Sequence, residues 1–393
     1  MRVLIDYRPA LRERSGVGEQ THQLATALLA AYPADERPRA LELTLFSSSW
    51  KDRLVPSAGL AGAATIDRRV PVSLLNFAWH RLEWPPAETL AGARFDVVHS
   101  PHPLLMPARD AAQVITIHDL DFLTHPERTT AEIRRDYPAL ACAHAHRADA
   151  VLVPSAYTAG EVERLLDVPR ERIAVCPQGA PDWTPRARAP KDGYVLFFGT
   201  LEPRKNIGGL LDAWERVLAS HVASVRPAPS HLAPPHVAAR LVLAGRAAGD
   251  AKPWLDRITR PPLAGSVEHL GYVDPAARRA LYEGARVLVQ PSFDEGFGMP
   301  VLEAMSLGVP VVAANRGALP EVLGGAGVLV DPERPDDIAQ AIARLLSDEG
   351  LAAACVERGI ARAREFRWDQ TAHRVFDTYR RAIERRAQAR RRE

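Results

Sequence analysis

Short apolar runs alternate with longer amphipathic stretches along the whole chain, and the alternation comes in two rounds. Runs such as 95–99 and 114–118 are apolar at successive positions, not at every second one. A strand of that kind is buried on both faces, as in a parallel sheet covered by helices on each side. In the first round, strands are predicted at 1–6, 41–47, 64–70, 95–99, 114–118, 150–154 and 173–176. Helices are predicted from the Gly16–Gly18 turn to about 31, and at 74–90, 127–147 and 157–166. A linker rich in Pro and Arg follows at 177–192. The second round gives strands at 194–198, 240–244, 267–270, 285–290, 309–313 and 328–330, with helices between them and one more at 335–347. The stretch 219–235 carries four prolines and reads as a surface insertion. Strand–helix alternation throughout implies a doubly wound α/β fold. At 393 residues the chain divides into two domains of ordinary size, 1–185 and 186–368.

A last helix is expected from residue 369 onward. Val375, Phe376, Tyr379 and Ile383 fall at helical spacing and form one apolar stripe that must dock on something. Beyond the stripe, the final 14 residues hold seven arginines and two glutamates. These arginines are expected to be solvated, with anionic lipid as the alternative partner. The formal charge of +2 is too small to argue for nucleic acid. Three cysteines without metal-ligand spacing point to free thiols in a reducing cytoplasm. No charged leader with an apolar core is read at the start, and no apolar run has the length of a membrane span.

Chemistry concentrates in 293–322. Gly296 and Gly298 allow close backbone approach to a ligand, and Pro300 suits the first turn of a helix. Such a helix start aims amides and a positive dipole end at an anion. Glu295 lies on the loop and Glu303 about one turn into the helix, where it could present both oxygens to vicinal hydroxyls. Each glutamate alone reads as ordinary surface charge; with the glycines and the proline they read as a site. The run 199–206 ends a strand with Arg204 and Lys205, a cationic pair suited to phosphate oxygens. A cationic helix start opposes the helix dipole and wants a compensating anion. The turn at 271–275, around Val273, could pair with a nucleobase edge or be a plain turn. His118 stands at a strand's end, and site and structural roles are balanced there. Asp119 is read as orienting or capping, and no metal or cofactor is expected. Gly16 and Gly18 are a weak phosphate signal for which a tight turn suffices.

Taken together, these motifs resemble a retaining glycosyltransferase of family 4, with the GT-B fold. The resemblance rests on Glu295 and Glu303 within Glu-Gly-Phe-Gly-Met-Pro-x-Leu-Glu-Ala-Met-Ser-x-Gly-x-Pro-Val-Val. It also rests on Gly-Thr-x-x-Pro-Arg-Lys-Asn at 199–206, Gly-Tyr-Val at 271–273, Ile-His-Asp-Leu at 117–120 and Ser-Gly-x-Gly at 15–18. It implies two Rossmann-like domains facing across a cleft, an N-terminal acceptor domain and a C-terminal nucleotide-sugar domain. The C-terminal helix would cross back to the first domain. Arg204 and Lys205 would hold a nucleotide diphosphate, Glu303 the ribose, and backbone around Val273 the base. Glu295 and the amides of Gly296, Phe297, Gly298 and Met299 would hold the donor sugar, and His118 would approach its C6 hydroxyl. Gly16 and Gly18 would line the cleft.

The implied reaction moves a hexose from a nucleotide diphosphate to a hydroxyl of a glycan or polyprenyl-linked acceptor, with retention. Glu295 is the one candidate nucleophile, yet the resemblance gives it to hydroxyl binding. Same-face attack, with the leaving phosphate taking the acceptor's proton, is therefore the mechanism expected. The motifs around Arg204 and His118 are similar to those of bacterial mannosyltransferases of polysaccharide assembly. GDP-mannose is the first donor and a UDP-hexose the second. A binding module without turnover and a sugar-nucleotide epimerase remain as other classes. The expected setting is cytoplasmic, on or near the inner face of the plasma membrane.

Overall fold

The computed structural model describes residues 1–11, 14, 16–33, 40–128, 131–224 and 240–391. The chain divides into two compact units, Met1–Gly179 with Arg367–Glu393, and Ala180–Phe366. The sequence put these divisions at 185/186 and 368/369.

The first unit contains strands β1 Arg2–Asp6, β2 Glu42–Ser48, β3 Ala64–Arg68, β4 Val97–Ser100, β5 Ala112–Thr116, β6 Ala150–Val153 and β7 Ile173–Val175. Its helices are α1 Val17–Ala31, α2 Val72–Phe77, α3 Ala87–Ala91, α4 Asp121–Thr124, α5 Ala131–Arg147 and α6 Ala156–Leu166. The sheet runs β3-β2-β1-β4-β5-β6-β7, every described pair parallel. β4, β5 and β6 are buried at every position, as strands covered on both faces are, and in β4 and β5 this includes the polar His99, Ser100, Gln113 and Thr116.

In the second unit the strands are β8 Tyr194–Phe198, β9 Leu241–Ala244, β10 Val267–Gly271, β11 Ala285–Gln290, β12 Val311–Ala314 and β13 Val328–Val330. Between and after them come α7 Ile207–Ser224, α8 Lys252–Ile258, α9 Pro275–Glu283, α10 Met299–Leu307, α11 Leu319–Leu323, α12 Pro335–Ser347 and α13 Glu349–Ala363. The parallel sheet β10-β9-β8-β11-β12-β13 has the order of a dinucleotide-binding α/β domain. Trp214, Ile207, Leu210 and Leu211 of α7 bury against Val195 and Phe197 of β8 and Ile338 and Ile342 of α12. Each such side chain contributes about 1.5–3 kcal/mol by leaving water.

Helix α14, Trp368–Arg390, packs on α1 of the first unit. Val375 and Tyr379 of its apolar stripe are buried with Leu24 and Leu28, and Phe376 stacks on Tyr32 at 4.1 Å between ring centroids.

Four sequence expectations need correction. The helix expected at 74–90 is broken: α2 ends in a wide turn, Glu83 takes a left-handed φ of 51°, and α3 starts after two prolines. Pro85 and Pro86 lack the amides a continuous helix requires. Helix α13 was not foreseen, because Gly350 and Gly359 dilute its pattern. Asp348 caps it, and Gly359 lets it approach α10, since a Cβ there would lie 3.3 Å from Met305. Part of the expected insertion at 219–235 is the end of α7, and 225–235 lies outside the described residues. Finally, the tail arginines are not simply solvated. Arg385 donates to the carbonyls of Asp149 and Glu171, and Arg386 and Arg390 to that of Arg109.

Candidate active site

In the second sheet the strand order reverses between β8 and β11, and ligands of such sheets bind outside the carboxyl ends of the strands at that point. The loops leaving these two strands are tied together by Asn206. Its Nδ2 donates to the carbonyls of Pro291 (3.2 Å) and Pro332 (2.7 Å), and its Oδ1 accepts from the Gly209 amide. A left-handed φ of 57° at Asn206 ends the 3-10 turn Pro203–Lys205 and starts α7.

That tie sets Lys205 and Arg204 against Glu295. Lys205 Nζ lies 2.6 Å from Glu295 Oε1, and Gln290 Nε2 and Ser292 Oγ donate to the same oxygen at 3.0 and 2.9 Å. Arg204 Nη1 lies 3.5 Å from Glu295 Oε2 and 3.1 Å from the Asp294 carbonyl, while its Nη2 bonds Glu202 at 2.9 Å. Burial would push the Glu295 carboxyl up, but Lys205 and then Arg204 outweigh it and hold the group down at about 2. The sequence placed this cationic pair on a helix start wanting an anion. Instead it stands on the turn before α7, and its compensating anion is Glu295. Arg204 keeps 17% and Lys205 11% of the side chain exposed, enough to meet a ligand at the surface of the crevice.

Gly298 caps α10 with φ 106°, and a Cβ there would fall 2.7 Å from Leu319, so this N-terminus requires glycine. Glu303 is buried on α10. Its Oε1 accepts from Arg278 Nη1 at 2.9 Å and its Oε2 from the Tyr282 hydroxyl at 2.8 Å. Burial, then the Glu303 charge, pushes the Tyr282 phenol well above its usual range, so it remains a donor. The carboxylate is therefore already oriented by two partners, not the open one expected from spacing. Phe297 is buried and packs edge-on against Phe366. Val273 follows Gly271 (φ 69°) in the turn before α9, half-buried against the core, and Asp274 caps that helix. Gly296 lies in the loop before α10 and Met299 is its first residue.

The other candidates belong to the first unit. His118 Nε2 donates to the Pro101 carbonyl at 3.1 Å, which leaves a lone pair on Nδ1, and burial holds the ring below its usual pKa. It lines a small cavity with Gln20, Thr116, Cys176 and Thr371. Gly16 precedes α1 with φ 50°. At Gly18 a Cβ would sit 2.4 Å from the Pro9 carbonyl, so close packing alone demands glycine there. Asp119 Oδ1 accepts from the Asp121 amide.

Sequence reasoning missed the supporting residues Gln290, Ser292, Asn206, Arg278 and Tyr282. Asn206 stood in the motif at 199–206 without a role, and positions 278 and 282 share one face of α9; Gln290 and Ser292 left no signal. It also missed Asp6, buried where the first sheet reverses between β1 and β4 and held by Arg8 (2.6 Å) and His102 (3.3 Å).

Two family descriptions match the chain, "Glycosyltransferase Family 4" over residues 14–182 and "Glycosyl transferases group 1" over 192–348. O-antigen chain mannosyltransferase B of Escherichia coli is 32% identical over 295 residues, covering 72% of this chain and 74% of that one. The chain belongs to the glycosyltransferases of group 1 and family 4. Among solved structures, sucrose-phosphate synthase from Thermosynechococcus elongatus superposes with a TM-score of 0.72 at 21% identity, covering 96% of this glycosyltransferase and 98% of the synthase. Anabaena HepE, solved with UDP and glucose, gives 0.66 at 19% identity, covering 96% and 98%. The fold is GT-B, and the glycosyltransferase resembles enzymes of polysaccharide assembly.

Proposed function

We propose that this glycosyltransferase moves mannose from GDP-mannose to a hydroxyl of a glycan or polyprenyl-linked acceptor, with retention at the anomeric carbon. The observation that carries the proposal is the Lys205–Arg204–Glu295 cluster at the reversal point of the second sheet. Arg204 and Lys205 neutralise the diphosphate as its bond to the anomeric carbon breaks. The acceptor oxygen attacks from the same face, and its proton passes to the departing phosphate oxygen. Glu295 fits poorly as a nucleophile or base: it is held at about 2, and its Oε1 is taken up by Lys205, Gln290 and Ser292. It fits better as the group that fixes Lys205 and Arg204 and meets a sugar hydroxyl. Glu303, aimed by Arg278 and Tyr282, serves the ribose, and the turn at Val273 the base. The amides of Gly296–Met299 serve the sugar. In the first unit, His118 offers a neutral ring whose Nδ1 can accept a hydrogen bond from a hydroxyl.

The similarity to an O-antigen chain mannosyltransferase favours mannose. HepE, solved with UDP and glucose, keeps a UDP-hexose as the second donor. Incubation with each donor and no acceptor tests the function: slow release of GDP indicates transferase chemistry, whereas an isomerised donor means an epimerase and binding alone a module. Lys205→Ala is expected to lower kcat about 10²–10³-fold, the cost of one preorganised charge. Glu303→Gln is expected to raise KM for the donor, with circular dichroism unchanged in both. Wild-type turnover in the two variants overturns the assignment.

A further inference from the structure

Nine large apolar side chains are exposed among the described residues, and seven of them fall between Trp50 and Trp84. Trp50 is 70% and Trp84 64% exposed. They belong to one edge of the first unit. The loop after β2 is pinned to the end of β3: Ser48 Oγ donates to the Val70 carbonyl at 2.8 Å, the Ser49 amide to the Arg68 carbonyl at 3.1 Å, and Arg53 pairs with Asp67 at 2.8 Å. Helix α2 begins four residues past β3. It buries Leu75, and the turn after it buries Trp79. Its outward face is apolar as well, with Leu74 and Phe77 more than half exposed, followed by Leu82 and Trp84. A helix facing water would carry charge there.

Basic residues surround these side chains. Between 49 and 84 stand Lys51, Arg53, Arg68, Arg69 and Arg81 against Asp52, Asp67 and Glu83. Two of the acids are matched, Asp67 by Arg53 and Glu83 by Arg147. A second copy docking face to face would set the same positive charges against each other. Tryptophans beside apolar residues and exposed cations instead match the interface of a bilayer with anionic headgroups.

We propose that the edge formed by residues 50–55 and 72–84 docks the protein on an anionic lipid surface. Leu74, Phe77 and Trp84 enter the headgroup region while Lys51 and Arg69 meet the lipid charge. Among the described residues no helix is long and apolar enough to cross a membrane, so contact of this kind is peripheral.

The test uses vesicles of phosphatidylcholine with phosphatidylglycerol, compared with phosphatidylcholine alone, in co-sedimentation with the full chain. Wild type is expected to bind the anionic vesicles with a blue shift in tryptophan emission, and to lose binding as salt is raised. Leu74→Ser/Phe77→Ser/Trp84→Ser is expected to weaken binding at least about tenfold, since three apolar groups no longer leave water. Lys51→Glu/Arg69→Glu should do so with the apolar face intact, and both variants should match wild type in circular dichroism and melting temperature. Equal binding by wild type and either variant overturns the proposal. So does equal binding to neutral vesicles, loss of binding on Arg390→Ser/Arg391→Ser alone, or a dimer that the apolar variant dissociates without any vesicle binding.

Discussion

One oxygen of Glu295 accepts from Lys205, Gln290 and Ser292, and the other faces Arg204. The carboxylate thus organises the cationic pair before any ligand arrives. Glu295→Gln keeps the shape but removes the carboxylate that Lys205 faces, while Arg204 keeps Glu202, and breaking such a buried pair costs about 3 kcal/mol or more. The sign follows from a folded pKa near 2 against an ordinary 4.5. The stabilisation is complete above about pH 4.5 and is lost as pH falls toward 2. Urea unfolding should show the variant below wild type at pH 7, with the gap narrowing below pH 4.5; a gap independent of pH counts against the pairing. Motif spacing made Glu295, Lys205 and Arg204 legible as candidate site residues. It could not show that they neutralise one another, because Asn206 brings the two loops together across 85 residues of chain.

Helix α14 is held on the first unit by polar contact as well as by its stripe. His99 Nδ1 meets the Tyr379 hydroxyl at 2.7 Å and Nε2 meets Thr116 Oγ1 at 2.8 Å, all buried. Burial, with small contributions from His102 and His118, pushes His99 down to about 3, so at pH 7 its neutral ring donates to one hydroxyl and accepts from the other. Tyr379→Phe leaves one ring nitrogen without a partner at an expected cost of about 1–3 kcal/mol. An unchanged urea midpoint would show that water replaces the hydroxyl. The stripe was readable from the 3.6-residue period, because packing repeats along a helix. His99 was hidden inside an apolar strand, where nothing in the period marks a buried polar contact. The break between α2 and α3 shows the converse: the apolar period runs on, but prolines at 85 and 86 end the helix.

The whole molecule is two sheets of like order, and the strand–helix rhythm gave that architecture because strands buried on both faces are mostly apolar without alternation. Chain order and spatial order part at α14, which follows all of the second unit in sequence yet belongs to the first. Without residues 367–393, Leu24, Leu28 and Cys176 would lose buried neighbours. A chain ending at 366 is expected to bind an apolar dye and melt at lower temperature, while 180–366 expressed alone melts as a unit; equal melting of the truncated and full chains would contradict this. Synthesis runs from the first residue to the last. The first unit is therefore begun before the second but completed after it: its core stays open until α14 leaves the ribosome, by which time all of the second unit has been made.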